Sequence, residues 1–307
     1  MKKIILLMIP ALMLAGCKKA DTSDLKIVCP TGAPAFAFYT QAKNSNFETN
    51  GVPSNIVSLM SEASDKDVVV IDTTSGIKAI NNGAPYKLAA SITFGNFYIA
   101  GTGKDDDTKI DAGDKIVLFG QNQTPDLLFH YLYGNTYDAD IEYVTNVQDA
   151  AKCLISGKNQ VTGHDIDYVF VAQPVLFNAL NKNKSAYKAV NVQEVYKEKS
   201  NGKELIQASV FVRNSTSKDK INQFLSDLKK DVNEAVKNPD IITTSLEGNS
   251  TEEMTALYGV NPSVAVSVLK DGNGLGLGYK KGKDNKENID AFISLFSLEN
   301  TDEKIYY

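Results

Sequence analysis

The sequence predicts an α/β fold built on mainly parallel sheets and divided into two lobes. Two observations carry this expectation. A β-branched run, a small polar turn and a helix recur four times along the chain. Once a leader is set aside 291 residues remain, roughly twice the ~150 residues typical of one domain.

The leader comes first. Lys2 and Lys3 give a positive start, residues 4–14 an apolar stretch too short to span a bilayer, and Leu14-Ala15-Gly16-Cys17 a run of small residues ahead of a cysteine. Residues 1–16 therefore read as a lipoprotein signal peptide, with Cys17 as the lipidation site and 17–24 as a lipidated tether. Acyl chains such as palmitate contribute about 0.8 kcal/mol per buried CH₂. The expected location is the extracytoplasmic face of the cell membrane, held by this anchor.

Four strand-turn-helix units follow. Residues 25–29 form a strand that runs through Pro30-Thr31-Gly32-Ala33-Pro34 into a helix at 35–42. Residues 68–71 form a second strand, followed by Asp72-Thr73-Thr74-Ser75-Gly76 and a short helix stopped at Asn81-Asn82-Gly83. Residues 115–119 form a third; Thr124 suits the N-cap of the next helix, Pro125 its first position, Asp126 its dipole, and Gly134 its stop. Residues 167–172 form a fourth, with Gln173-Pro174 as its turn and a helix at 175–181. Residues 88–101 read as one or two further strands, and 207–212 as another. The run after 215 carries Ile221, Phe224, Leu225, Leu228, Val232 and Ala235 at helical spacing before Asn238-Pro239. Helices at 251–258, 262–269 and 287–298 complete the chain. The expected division is 25–110 with 206–307 as lobe 1 and 111–205 as lobe 2.

In parallel α/β sheets ligands meet the turns at the carboxyl ends of strands, where helix N-termini expose N–H groups. The candidate ligand contacts are Thr31, Gly32 and Ala33 from the first turn, Thr73, Thr74 and Ser75 from the second, and Gln121, Asn122, Thr124 and Gln173 from the second lobe. Asn96 stands beside a lobe crossing, and Phe36 and Phe97 offer rings. Amides beside rings suit a flat solute with polar edges.

Other chemistries find little support. Formal charge is −5, and −7 without Lys2 and Lys3, which disfavours a nucleic-acid partner. Arg213 is the single arginine, so a bidentate clamp on an oxyanion is limited to one residue. Cys29 and Cys153 read as buried free thiols. A nucleophilic Cys29 would need a base, and neither His130 nor His164 has a sequence relation to it. Asp105-Asp106-Asp107 lacks the ligand spacing of a calcium loop, no zinc motif is present, and no cofactor is expected. The glycine-rich stretch 272–278 lacks the strand and helix of a dinucleotide loop and reads as a turn that carries Tyr279 toward the cleft mouth.

The lipobox, PTGAPAFAFY, DVVVIDTTSGI, DKIVLFGQNQTPDLL, DYVFVAQP and ASVFVRNSTSKDKINQFL fall in the order seen in substrate-binding lipoproteins of ABC importers. Over most of the mature chain the sequence resembles the nitrate, sulfonate and thiamine-precursor branch. That resemblance implies a type II periplasmic-binding-protein fold, a hinge of two crossings, a small-molecule solute held in the cleft and a membrane permease as partner. The protein would be a monomer and not an enzyme. The alternatives are an enzyme on the same scaffold acting on a small heterocycle, or a surface lipoprotein with no transport role.

Overall fold

The central strands of this chain bury both faces, and their side chains alternate between clusters as the pleat requires. In Ile27–Pro30, Ile27 and Cys29 enter one apolar cluster and Val28 another; in Val68–Asp72, Val68 and Val70 face the first, Val69 and Ile71 the second. The structure, a computed structural model, describes residues 19–103 and 108–307. The expected signal peptide, Cys17 and the acidic run at 105–107 lie outside them.

The strands are β1 (Ile27–Pro30), β2 (Phe47–Asn50), β3 (Val68–Asp72), β4 (Tyr86–Thr93), β5 (Phe97–Gly101), β6 (Ile116–Phe119), β7 (Ile141–Val144), β8 (Tyr168–Ala172), β9 (Tyr187–Asn191), β10 (Ala208–Arg213) and β11 (Leu277–Lys281). The helices are α1 (Pro53–Ser58), α2 (Thr73–Asn81), α3 (Thr124–Tyr133), α4 (Val147–Ser156), α5 (Val175–Lys182), α6 (Val192–Lys199), α7 (Lys218–Lys237), α8 (Asp240–Ser245), α9 (Thr251–Tyr258), α10 (Pro262–Lys270) and α11 (Lys286–Ile293). A 3₁₀ stretch, Ala33–Gln41, follows β1 in place of the expected α-helix.

Two mixed sheets result, ordered β11-β4-β10-β3-β1-β2 and β7-β6-β8-β5-β9. In the first, β1 to β4 run one way and β10 and β11 the other. In the second, β5 alone runs against its neighbours. Leaving out the edge strand β11, both sheets have the same order. In each, the strand running against its neighbours, β10 or β5, is the first one formed after the chain has crossed over.

Those crossings lie at residues 94–96 and 200–207. The first departs from the expected lobe 1 segment 25–110: β5 pairs with β8 and β9 in the second sheet. Only three residues separate β4 from β5, and the partner that claims β5 is some 70 residues away in sequence, beyond the reach of any local pattern.

Helices cover both faces of each sheet. The long apolar stripe of α7, with Ile221, Phe224, Leu228, Val232 and Ala235 buried, packs on the first sheet with the 3₁₀ stretch. Helices α4 and α5 cover the outer face of the second. A middle cluster joins the facing sides of both sheets, with Tyr196 of α6 edge-on to Phe292 of α11 at 6.4 Å. Among the described residues no helix is long and apolar enough to cross a membrane.

Glycine has a clear task at one place. Gly276, at φ +63°, lies so close to the first crossing that a Cβ there would fall 2.0 Å from the Gly95 carbonyl oxygen. Its own carbonyl accepts the Phe94 N–H at 2.8 Å. The glycine-rich stretch thus buttresses the crossing. Tyr279 packs half-buried against the first cluster and does not reach the cavity described next.

Candidate functional site

The turns leaving β1, β3, β6, β7 and β8 all end at one cavity of about 660 Å³, lined from both sheets. The carboxyl ends of parallel strands are where such a cavity is expected.

From β1 come Thr31, Gly32 and Ala33. Gly32 adopts φ +94°, and its N–H donates to the Tyr258 carbonyl at 2.8 Å, which sets the entry to the 3₁₀ stretch. From β3 come Asp72, Thr74 and Ser75. Asp72 caps α2 by accepting the Ser75 N–H at 2.8 Å, and burial pushes its carboxyl up from the ordinary value. Thr73 does not reach the cavity. Its side chain turns back to share a hydrogen bond with Ser209 Oγ at 2.8 Å, and it is fully buried.

The turn after β6 bends through Gly120 at φ +69° and Asn122 at φ +61°. Buried Asp126 holds it by accepting the Asn122 N–H at 2.7 Å on Oδ2 and the Tyr143 hydroxyl at 2.8 Å on Oδ1; His130 Nε2 lies 3.1 Å from Oδ1. Burial, and then that carboxylate, raise the Tyr143 hydroxyl. Asn122, Gln123 and Thr124 reach the cavity; Gln121 is exposed and does not. Thr124 occupies the first helical position, while the N-cap falls on Gln123, one residue before the expected place.

From β8 comes Gln173, bonded to the first crossing on both sides. Its N–H donates to the Asn96 carbonyl at 2.8 Å, and its own carbonyl accepts Asn96 Nδ2 at 2.5 Å. Its side-chain oxygen accepts the Phe177 N–H at 3.0 Å and so caps α5. Asn96 and Phe97 also line the cavity. Phe36 does not. It is fully buried and stacked on Tyr258 at 4.5 Å, a core ring as most rings are.

Several lining residues had no expected role. Val147 and Gln148 open α4, whose strand β7 is only partly buried and lacks an apolar run. Phe119 and Phe296 add rings, the first tilted against Phe97 at 6.4 Å. Gln207 comes from the second crossing, where its N–H donates to the Thr93 carbonyl at 3.0 Å and its carbonyl accepts the Thr73 N–H at 3.0 Å. Asp72 and Lys78 are the charged lining residues. The Asp-x-x-Ser capping pattern at 72–75 was a usable signal for Asp72.

Three polar atoms of this lining are buried without a partner among the described residues: Thr74 Oγ1, Asn96 Oδ1 and Gln207 Oε1. Each costs about 1–3 kcal/mol as it stands. Arg213 is remote. Its guanidinium donates to the Ser61 and Glu62 carbonyls at 3.2 and 2.7 Å and to the Tyr86 hydroxyl at 3.2 Å. Cys29 and Cys153 are free and buried in different clusters, and burial raises both thiols. Neither they nor the two histidines line the cavity. No cluster of ligating side chains able to hold a metal ion occurs among the described residues.

No protein-family model and no curated protein matches the sequence. Solved structures are similar in fold. An ABC transporter protein from Parabacteroides distasonis shares 20% identity over 90% of this chain and 92% of its own, with a TM-score of 0.69. The periplasmic aliphatic sulphonate binding protein of Escherichia coli shares 11% over 92% of this chain and 91% of its own, at 0.64. A Candida albicans protein described as having the generic periplasmic binding protein fold shares 10% over 92% of each chain, at 0.52. The chain has the two-sheet α/β fold of periplasmic binding proteins.

Proposed function

We propose that this chain is an extracytoplasmic solute receptor that binds a small organic molecule in the cavity and delivers it to an ABC permease. In this reading residues 1–16 are removed, Cys17 carries the lipid anchor, and the protein acts as a monomer. The observation that carries the proposal is the convergence of five strand-to-helix turns, from two sheets, on one cavity. Helix starts offer N–H groups, and the Phe97, Phe119 and Phe296 rings offer stacking area for a heteroaromatic solute. The similar folds of an ABC transporter protein and of a sulphonate-binding protein add support. Both thiols and both imidazoles lie outside the cavity, so the thiol-imidazole pairing considered for Cys29 is not formed there.

Because the cavity takes polar groups from both sheets, a ligand that touches both favours their approach, which is a shift of population toward closure. A micromolar dissociation constant corresponds to about −8 kcal/mol, within reach of a few hydrogen bonds and one stacked ring. The test is a thermal-shift screen of the full chain in detergent against nucleobases, riboflavin, amino acids, sugars, sulfonates and nitrate. A saturable upward shift with one class is expected; no shift with any of them removes the proposal. The anchor is tested separately: Cys17→Ala should move the protein from the membrane to the soluble fraction.

A further inference from the structure

We infer that the solute this cavity takes carries a positive charge, an amine or a quaternary nitrogen, and that the Asp72 carboxylate receives it. The inference rests on the receptor reading above and names its ligand class.

Asp72 is partly exposed and lines the cavity where β3 gives way to α2. Its Oδ1 caps α2 by accepting the Ser75 N–H at 2.8 Å. A carboxylate has about four acceptor positions, so this cap leaves most of them open. Burial raises the carboxyl above its ordinary value, even though the Ser75 N–H and hydroxyl and the Lys78 charge favour the ionised form. The negative charge is thus under-compensated by the chain itself.

Lys78, the one cation of the lining, does not make up the difference. It is exposed and forms no ion pair among the described residues. Its Nζ stands over the Phe296 ring instead, 5.7 Å from the centroid. A cation therefore already occupies a ring face of this lining, within electrostatic reach of Asp72. The partly exposed Phe119 ring offers a second face.

Helix starts by themselves would favour an anion, but those of α2, α3, α4 and α5 each carry an acceptor of their own. Besides Asp72 at α2, Asn146 Oδ1 accepts the Asp149 N–H at α4 at 2.9 Å, and Gln173 Oε1 the Phe177 N–H at α5 at 3.0 Å. At α3 the Asp126 carboxylate accepts the Asn122 N–H at 2.7 Å. Three of the four thus hold a carboxylate at the cap or in the first turn, which offsets the positive end of the dipole. The single arginine is engaged by main-chain carbonyls and Tyr86 elsewhere. What remains is one partly buried carboxylate against one exposed lysine, and the partly buried charge acts through the lower dielectric.

The experiment is calorimetry on the full chain with solutes matched in shape and differing in charge. The cations are benzylammonium, 1-methylpyridinium, choline and arginine. The neutral and anionic counterparts are benzyl alcohol, toluene, 3,3-dimethylbutanol, citrulline, benzoate and nitrate. Binding of a cation without its counterpart is expected. Asp72→Asn keeps an oxygen for the Ser75 N–H, and asparagine caps a helix as well as aspartate, so the ligand-free melting temperature should hold while the cation weakens at least about tenfold. Lys78→Gln moves affinity the other way: it removes a like charge and frees the Phe296 face, so the cation should bind about two- to threefold tighter, a gain that a merely structural role would not produce. A neutral or anionic solute bound in preference to the cations, unchanged affinity in Asp72→Asn, or weaker cation binding in Lys78→Gln overturns the inference and leaves the receptor reading intact. Binding of no solute, here or in the screen above, overturns both.

Discussion

Replacing Gly276 by alanine tests how the first crossing is held. The new Cβ would sit 2.0 Å from the Gly95 carbonyl oxygen and 2.8 Å from its carbon, whereas a relaxed carbon-oxygen contact needs about 3.3 Å. Either the turn or the crossing must move by more than about 1 Å, an overpacking cost of about 1–3 kcal/mol. A left-handed φ of +63° costs a non-glycine residue about 1 kcal/mol more. Gly272 is a control inside the same stretch. It has φ +64° and nothing within 4 Å of its Cβ position, so Gly272→Ala carries the backbone cost alone. Urea unfolding of both variants should therefore place Gly276→Ala about 1–3 kcal/mol below Gly272→Ala. Asn96 follows Gly95 directly, so Gly276→Ala should also weaken any solute found in the screen, and Gly272→Ala should not. Equal stabilities of the two variants, to within about 0.5 kcal/mol, would refute the buttress and with it the claim that this crossing has one tightly held geometry.

Two further outcomes are expected. Burial alone would raise the Asp290 carboxyl, but the Lys286 ammonium at 2.5 Å and the Thr301 N–H and hydroxyl at 2.8 and 2.7 Å outweigh it and hold it below the ordinary 3.8. A depressed folded value contributes stability that is complete above the unfolded value and lost as pH falls through the folded one. Asp290→Asn should thus cost about 1–2 kcal/mol in urea unfolding at pH 7, and the gap should narrow as pH falls below the ordinary 3.8 and through the depressed folded value; a gap independent of pH would contradict the assignment. Phe36→Ala, which deletes a fully buried ring stacked on Tyr258, should cost about 3–5 kcal/mol in stability and leave solute affinity within about twofold; lost affinity at full stability would restore Phe36 to the site.

The helix starts were legible because capping chemistry is local. Asp72 with Ser75, the Pro125 entry to α3 and the Gly134 stop are each written in adjacent residues, and they place Thr74, Ser75, Asn122 and Thr124 at the cavity. Which member of a turn faces inward was less legible. Thr73 and Thr74 are neighbours of the same type, and about 100° of helical rotation sends one to Ser209 and the other to the cavity. Gln121 and Asn122 diverge for a related reason, the left-handed φ at Asn122 that Asp126 fixes from four residues on. Gln207 carried no signal at all. Its role depends on two main-chain bonds to Thr93 and Thr73, residues that meet only after the first sheet has formed.

The shared order of the two sheets bears on how a ligand would act. Since β5 and β10 each begin as soon as the chain has crossed, the last crossing residues, Asn96 and Gln207, are pinned by main-chain bonds to strand ends or turns nearby. Their side-chain oxygens and that of Thr74 remain without partners, and each carries a penalty of about 1–3 kcal/mol. Turning a two-state equilibrium from 1:99 to 99:1 takes about 5.5 kcal/mol of differential binding. Three such penalties together are of that size in the arrangement seen. On the proposed reading these occluded oxygens tie ligand binding to a movement of the crossings, since only such a movement brings a donor to them.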